Sequence, residues 1–67
     1  MVVIQSGFVD VYGGKWKDCH IEHYNRLSEE IESKEKAGFD VEWLKDSRHR
    51  FYVAVAEMHL EKIKVVA

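Results

Sequence analysis

The spacing of apolar positions changes along the chain, and each change predicts a different element. Phe8-Val-Asp-Val-Tyr12 and Lys15-Trp-Lys-Asp18 read as two alternating runs on either side of Gly13-Gly14. Alternation flanking a glycine pair predicts a β-hairpin with a two-residue primed turn. That turn sets Val11 opposite Trp16 and Asp10 opposite Lys17, an apolar pair and an ion pair on opposite faces. Val2-Val3-Ile4 extends the first strand in this reading, with Ser6-Gly7 as a kink.

From about residue 19 to 37 the period becomes helical. Ile21, Tyr24, Leu27 and Ile31 recur at that spacing, and Asp18 is placed as the N-cap. Glu30 with Lys34, and Glu32 with Lys36, are acid-to-base pairs one turn apart. Gly38-Phe39-Asp40 then supplies a helix stop and a new start. Gly38 suits the left-handed position after a helix, Asp40 an N-cap, and Phe39 with Leu44 a hydrophobic staple. So short a connection folds two helices back on one another.

The second helix is expected over about residues 40–65, because the chain contains no Gly, Pro, Asn or Asp after Ser47. At about 1.5 Å per residue it runs roughly 37 Å, against roughly 27 Å for the first helix. Leu44, Phe51, Met58 and Val65 form one heptad column beside Val41, Arg48, Val55 and Lys62. A second stripe follows Tyr52, Ala56, His59, Ile63 and Val66. Phe51 to Val55 also suits a strand. A strand of some twenty residues is too long, however, and Ala56-Glu57 turns poorly. The expected fold class is therefore α+β, an N-terminal β-hairpin at about 2–18 followed by an antiparallel two-helix hairpin with a long C-terminal helix, in one domain.

Size sharpens this picture. A 67-residue chain buries only about 60% of its unfolded surface and is marginal alone. Its single cysteine, Cys19, makes no intrachain disulfide and fits a reducing compartment. Gln5, Ser6 and Gly7 interrupt the first apolar run, so no signal peptide is read, and no run reaches the ~20 residues of a membrane span. A cytoplasmic protein is expected. The second apolar stripe needs a cover that one short helix and a ribbon do not supply. A homodimer pairing the long helices is the expected cover, with Phe51, Tyr52, Val55, Met58, His59 and Ile63 at the interface.

Candidate chemistry is sparse. Cys19, His20 and His23 are a local group of metal-ligand types, but His49 and His59 are distant and do not complete a zinc set. Cys19 with His23 lacks an orienting third group for nucleophilic catalysis. Glu29, Glu30, Glu32 and Glu35 read as a solvated acidic face. No catalytic residue, metal or cofactor is assigned. The formal charge is −2. Lys15, Trp16 and Lys17, with Arg48 and Arg50, are the residues that could meet a nucleic acid, through stacking and phosphate contacts. The expected function is thus a small non-enzymatic protein-binding regulator or adaptor, with a nucleic-acid-binding regulator as the alternative.

Overall fold

Two helices follow from the two helical stretches. The computed structural model describes residues 3–66, with side chains over residues 3–60. Helix α1 spans Asp18–Lys36 and α2 spans Glu42–Val66. Among the described residues there is no strand or sheet, so the fold is a helical hairpin preceded by an irregular segment, not α+β.

The expected β-hairpin fails for a local reason. Asp10 N–H donates to Gly14 O at 3.0 Å, and Gly13 N–H donates to Asp10 O at 3.0 Å. With Gly13 at φ +79°, this is a type I turn closed by a left-handed glycine, a three-residue loop. The register moves by three, so Val9 faces Lys15 in the single bridge. Val11 is expelled to the turn, where it is 78% exposed, and Trp16 turns inward. An odd shift exchanges the faces of a strand. Both flanks then run out. Phe8 N–H donates to Gln5 O in a turn through Gly7, and α1 begins at Asp18. Ile4 extends no strand either. Its N–H donates to Asn25 Oδ1 at 2.8 Å, and its carbonyl accepts from Asn25 Nδ2 at 2.9 Å.

Helix boundaries differ from expectation by one position at two caps. Lys17, not Asp18, is the N-cap of α1. The Asp18 carboxylate instead accepts from Ser6 Oγ at 3.2 Å. At the other end, Phe39 N–H donates to Lys34 O and Gly38 N–H to Glu35 O, with Gly38 at φ +87°. This is the Schellman stop that the glycine predicts. Lys45 N–H donates to Val41 O, which makes Val41 the N-cap of α2. Asp40 lies one residue earlier and accepts from Glu42 N–H at 3.1 Å. Phe39 is consequently out of register for a staple with Leu44.

The core has two parts. Trp16, Ile21 and Val55 form one cluster, with Ile4, Phe8, Tyr24, Phe51 and Tyr52 packed around it. Ile31, Val41 and Leu44 form the other beside the bend, with Leu27. Buried Ser28 lies on α1 between Leu27 and Ile31, where Arg48 donates to its Oγ at 2.8 Å while lying over the Tyr24 ring. The radius of gyration is 13.6 Å, against about 11 Å for a compact chain of this length. Much of that elongation comes from the 25-residue α2, which is six residues longer than α1.

Candidate functional site

Asp10 is the most heavily engaged polar side chain described. Its position in the turn lets Oδ1 accept two backbone donors, Tyr12 N–H and Gly14 N–H, each at 3.0 Å. Oδ2 reaches inward and accepts from Trp16 Nε1 at 3.2 Å. The same oxygen lies 2.6 Å from His59 Nδ1, 49 residues away on α2. An ionised carboxylate only accepts, so Nδ1 carries the imidazole proton. Burial pushes the Asp10 carboxyl upward, but the hydrogen bonds from His59, Gly14, Tyr12 and Trp16 outweigh it. They hold it below the ordinary aspartate value of 3.8.

This arrangement is chemically suggestive, since a carboxylate that orients a histidine is part of many catalytic sites. Here the pair joins the turn to α2. Among the described residues, Asp10 is the hydrogen-bond partner that holds His59. Gly14 backs against the same imidazole, and a Cβ added there would overlap the ring. Gly14→Ala should therefore cost about 1–3 kcal/mol by overpacking, read as a lower urea midpoint. An unchanged midpoint would show that His59 moves aside freely.

The residues expected at a dimer interface divide. Val55 is only 2% exposed, and Phe51, Tyr52 and His59 are half-buried. They are covered from within the chain. Trp16 lies 5.5 Å from Tyr52 and 5.8 Å from Phe51 between ring centroids, and Phe8 lies 6.3 Å from Tyr52. Met58 is exposed, and the Ile63 side chain lies outside the described residues. Of the second stripe, Tyr52, Ala56 and His59 are engaged within the chain, while the Ile63 and Val66 side chains lie outside the described residues.

The basic candidates are also dispersed. Trp16 is buried and offers no face to a base, while Lys15 and Lys17 are exposed beside it. Arg48 is engaged by Ser28, and Arg50 lies 2.9 Å from Asp46. Cys19 is exposed, whereas the rings of His20 and His23 pack against Phe51. Among the described residues no group of three His, Cys, Asp or Glu side chains is arranged to hold a metal. No described helix is long and apolar enough to cross a membrane.

What remains is the bend. Phe39 is 67% exposed and Trp43 56% exposed, and both line one surface hollow with Lys34 and Asp40. A Schellman stop normally packs its C″ residue against an apolar residue one turn back. Here those positions are Lys34 and Ser33, so Phe39 has no apolar partner there. Trp43 lies one position from Leu44 and carries the Lys34 ammonium 5.4 Å from its ring centroid. The sequence did hold this signal, in the polar character of Ser33 and Lys34. Comparison with protein-family models, with curated proteins and with solved structures finds no match to this chain.

Proposed function

We propose that this protein is a small non-enzymatic protein-binding regulator or adaptor that docks through its helix–helix bend. The observation that carries the reading is the exposure of Phe39 and Trp43 side by side. Five other aromatic residues, Phe8, Trp16, Tyr24, Phe51 and Tyr52, lie in or against the core. Exposed aromatics on rigid backbone are favoured anchors in interfaces, because little ordering entropy is lost on binding. The Schellman turn and the Asp40 contact hold this backbone in place.

The patch is an anchor rather than a whole interface. Two aromatic side chains so exposed offer roughly 200–300 Å², against roughly 800 Å² per partner in a standard complex. A symmetric dimer built on it alone would be weak, which favours a different protein with a groove that receives the two rings. Within the described residues, Tyr52, Ala56 and His59 of the α2 stripe are engaged inside the chain, which weakens the case for pairing two copies through them. Light scattering at about 100 µM should give a monomer, and a dimer there would overturn this part of the reading.

The direct test places a photoreactive benzophenone side chain at Phe39 in the native host. The expected result is a discrete protein adduct that disappears with Trp43→Ala and is not formed from the same group at Glu29. Equal labelling from both positions, or none from Phe39, would overturn the reading.

A further inference from the structure

Charge around the bend leans acidic, with three lysines among five carboxylates, and Asp40 is the acid among them without a cation partner. Lys34 Nζ lies 3.0 Å from Glu30, and Lys36 Nζ lies 3.2 Å from Glu32. Lys45 Nζ lies 3.6 Å from Glu35 and 3.9 Å from Glu42. Asp40 uses Oδ1 to accept from Glu42 N–H. Among the described residues no cation pairs with its carboxylate. This acid lines the same hollow as Phe39 and Trp43.

The rings share that polarity. An aromatic face carries the negative part of the quadrupole, so it attracts cations. Trp43 already shows this within the chain, because the Lys34 ammonium lies over its ring. Two exposed aromatic side chains and a carboxylate without a cation partner thus border one open hollow, with Lys34 as its fourth wall. A cation that is also flat and weakly hydrated complements all three.

We propose that the bend receives an arginine side chain from a partner protein, its guanidinium pairing with Asp40 while stacking on Phe39 or Trp43. The inference rests on the bend being the binding face and names the chemistry that face selects. Arginine fits better than lysine. Its planar fork matches a carboxylate with two parallel donors, and its plane stacks on an aromatic ring. A lysine ammonium is a compact, strongly hydrated charge that gains less from the rings. Lys34 is the internal competitor, since its ammonium occupies one approach to Trp43.

The test uses the full chain and capped hexapeptides of glycine and serine that carry two arginines, two lysines or two citrullines. Binding is followed by the Trp43 indole N–H resonance. The arginine peptide should shift it with millimolar affinity. The lysine peptide should bind about threefold more weakly and the citrulline peptide about fivefold more weakly. Asp40→Asn keeps an oxygen for Glu42 N–H, so the start of α2 survives, and it should weaken arginine binding about fivefold. Lys34→Met should strengthen it by clearing the ring. Equal binding of the arginine and citrulline peptides would overturn the proposal, as would an unmoved Trp43 at about 20 mM peptide. A protein adduct from Phe39 with no arginine binding would overturn the arginine assignment alone. Failure of both experiments would overturn the binding face as well.

Discussion

Trp16→Ala should leave the chain largely unfolded at room temperature. Trp16 is 2% exposed and stands at the centre of the larger core cluster. Phe8 meets it edge-on at 5.3 Å, and Tyr24 does so at 6.0 Å. Truncating a buried tryptophan costs about 3–5 kcal/mol. A chain of 67 residues has a total stability of roughly 3–10 kcal/mol. The loss is therefore comparable with the whole. It also removes what covers Tyr52 and Phe51, since these rings pack on Trp16 itself. Far-UV circular dichroism should show the helical signal at 222 nm strongly reduced, without a cooperative urea transition. Trp16→Phe should remain folded but weaker, because it keeps most of the ring and loses the donor to Asp10. A Trp16→Ala protein with a urea midpoint close to the parent's would mean that the two helices hold together without the N-terminal segment.

Asp10 is the second position with a large expected effect. Asp10→Ala strands the Trp16 and His59 donors in the interior and unties the turn, at a cost of about 3 kcal/mol. Asp10→Asn dissects that cost. It retains an oxygen for the Tyr12 and Gly14 N–H groups but replaces the inward oxygen with a donor. A loss of about 1–2 kcal/mol is expected. Acid dependence separates the two roles further. The folded-state value of Asp10 is held below the ordinary 3.8, so its contribution is fully present above the unfolded value. That contribution declines as pH falls through the region below 3.8 and is lost once the folded carboxyl is protonated. Urea unfolding between pH 2.5 and 7 should show wild-type stability falling at the acid end, with part of that slope absent in Asp10→Asn. Identical slopes in the two proteins would show that Asp10 is not protonated differently on folding.

The bend was legible in the sequence because its hydrogen bonds close within six residues. Gly38 accepts a positive φ at no steric cost, and two carbonyls near the end of α1 receive their donors from Gly38 and Phe39. The ion pairs Glu30–Lys34 and Glu32–Lys36 form for the same reason, one helical turn apart. The N-terminal turn departs from the expected primed turn although its signal is local too. Asp10 at the first position and Gly13 at the fourth mark a type I turn, and the adjacent Gly13-Gly14 imitates a primed one. Choosing between them exchanged the faces of the first flank, burying Asp10 and exposing Val11, while Trp16 keeps its apolar face. That single choice decided whether Trp16 packs on Val11 or beneath Phe8.

The candidate site was less legible than the helices. Phe39 reads as half of a staple with Leu44, Trp43 falls in none of the apolar columns, and His59 reads as part of an interface. In the structure His59 is engaged by Asp10 and the two rings are open to solvent. Sequence by itself determined two helices, the bend between them and the local charge pairs, since each depends on residues within about one helical turn. Tertiary structure alone decided which apolar stripe is covered, that Asp10 meets a histidine 49 residues away, and which aromatics remain outside. Such contacts are choices among all the surfaces the chain could bring together. They are settled by the shape and polar satisfaction of the whole core, which no local pattern encodes.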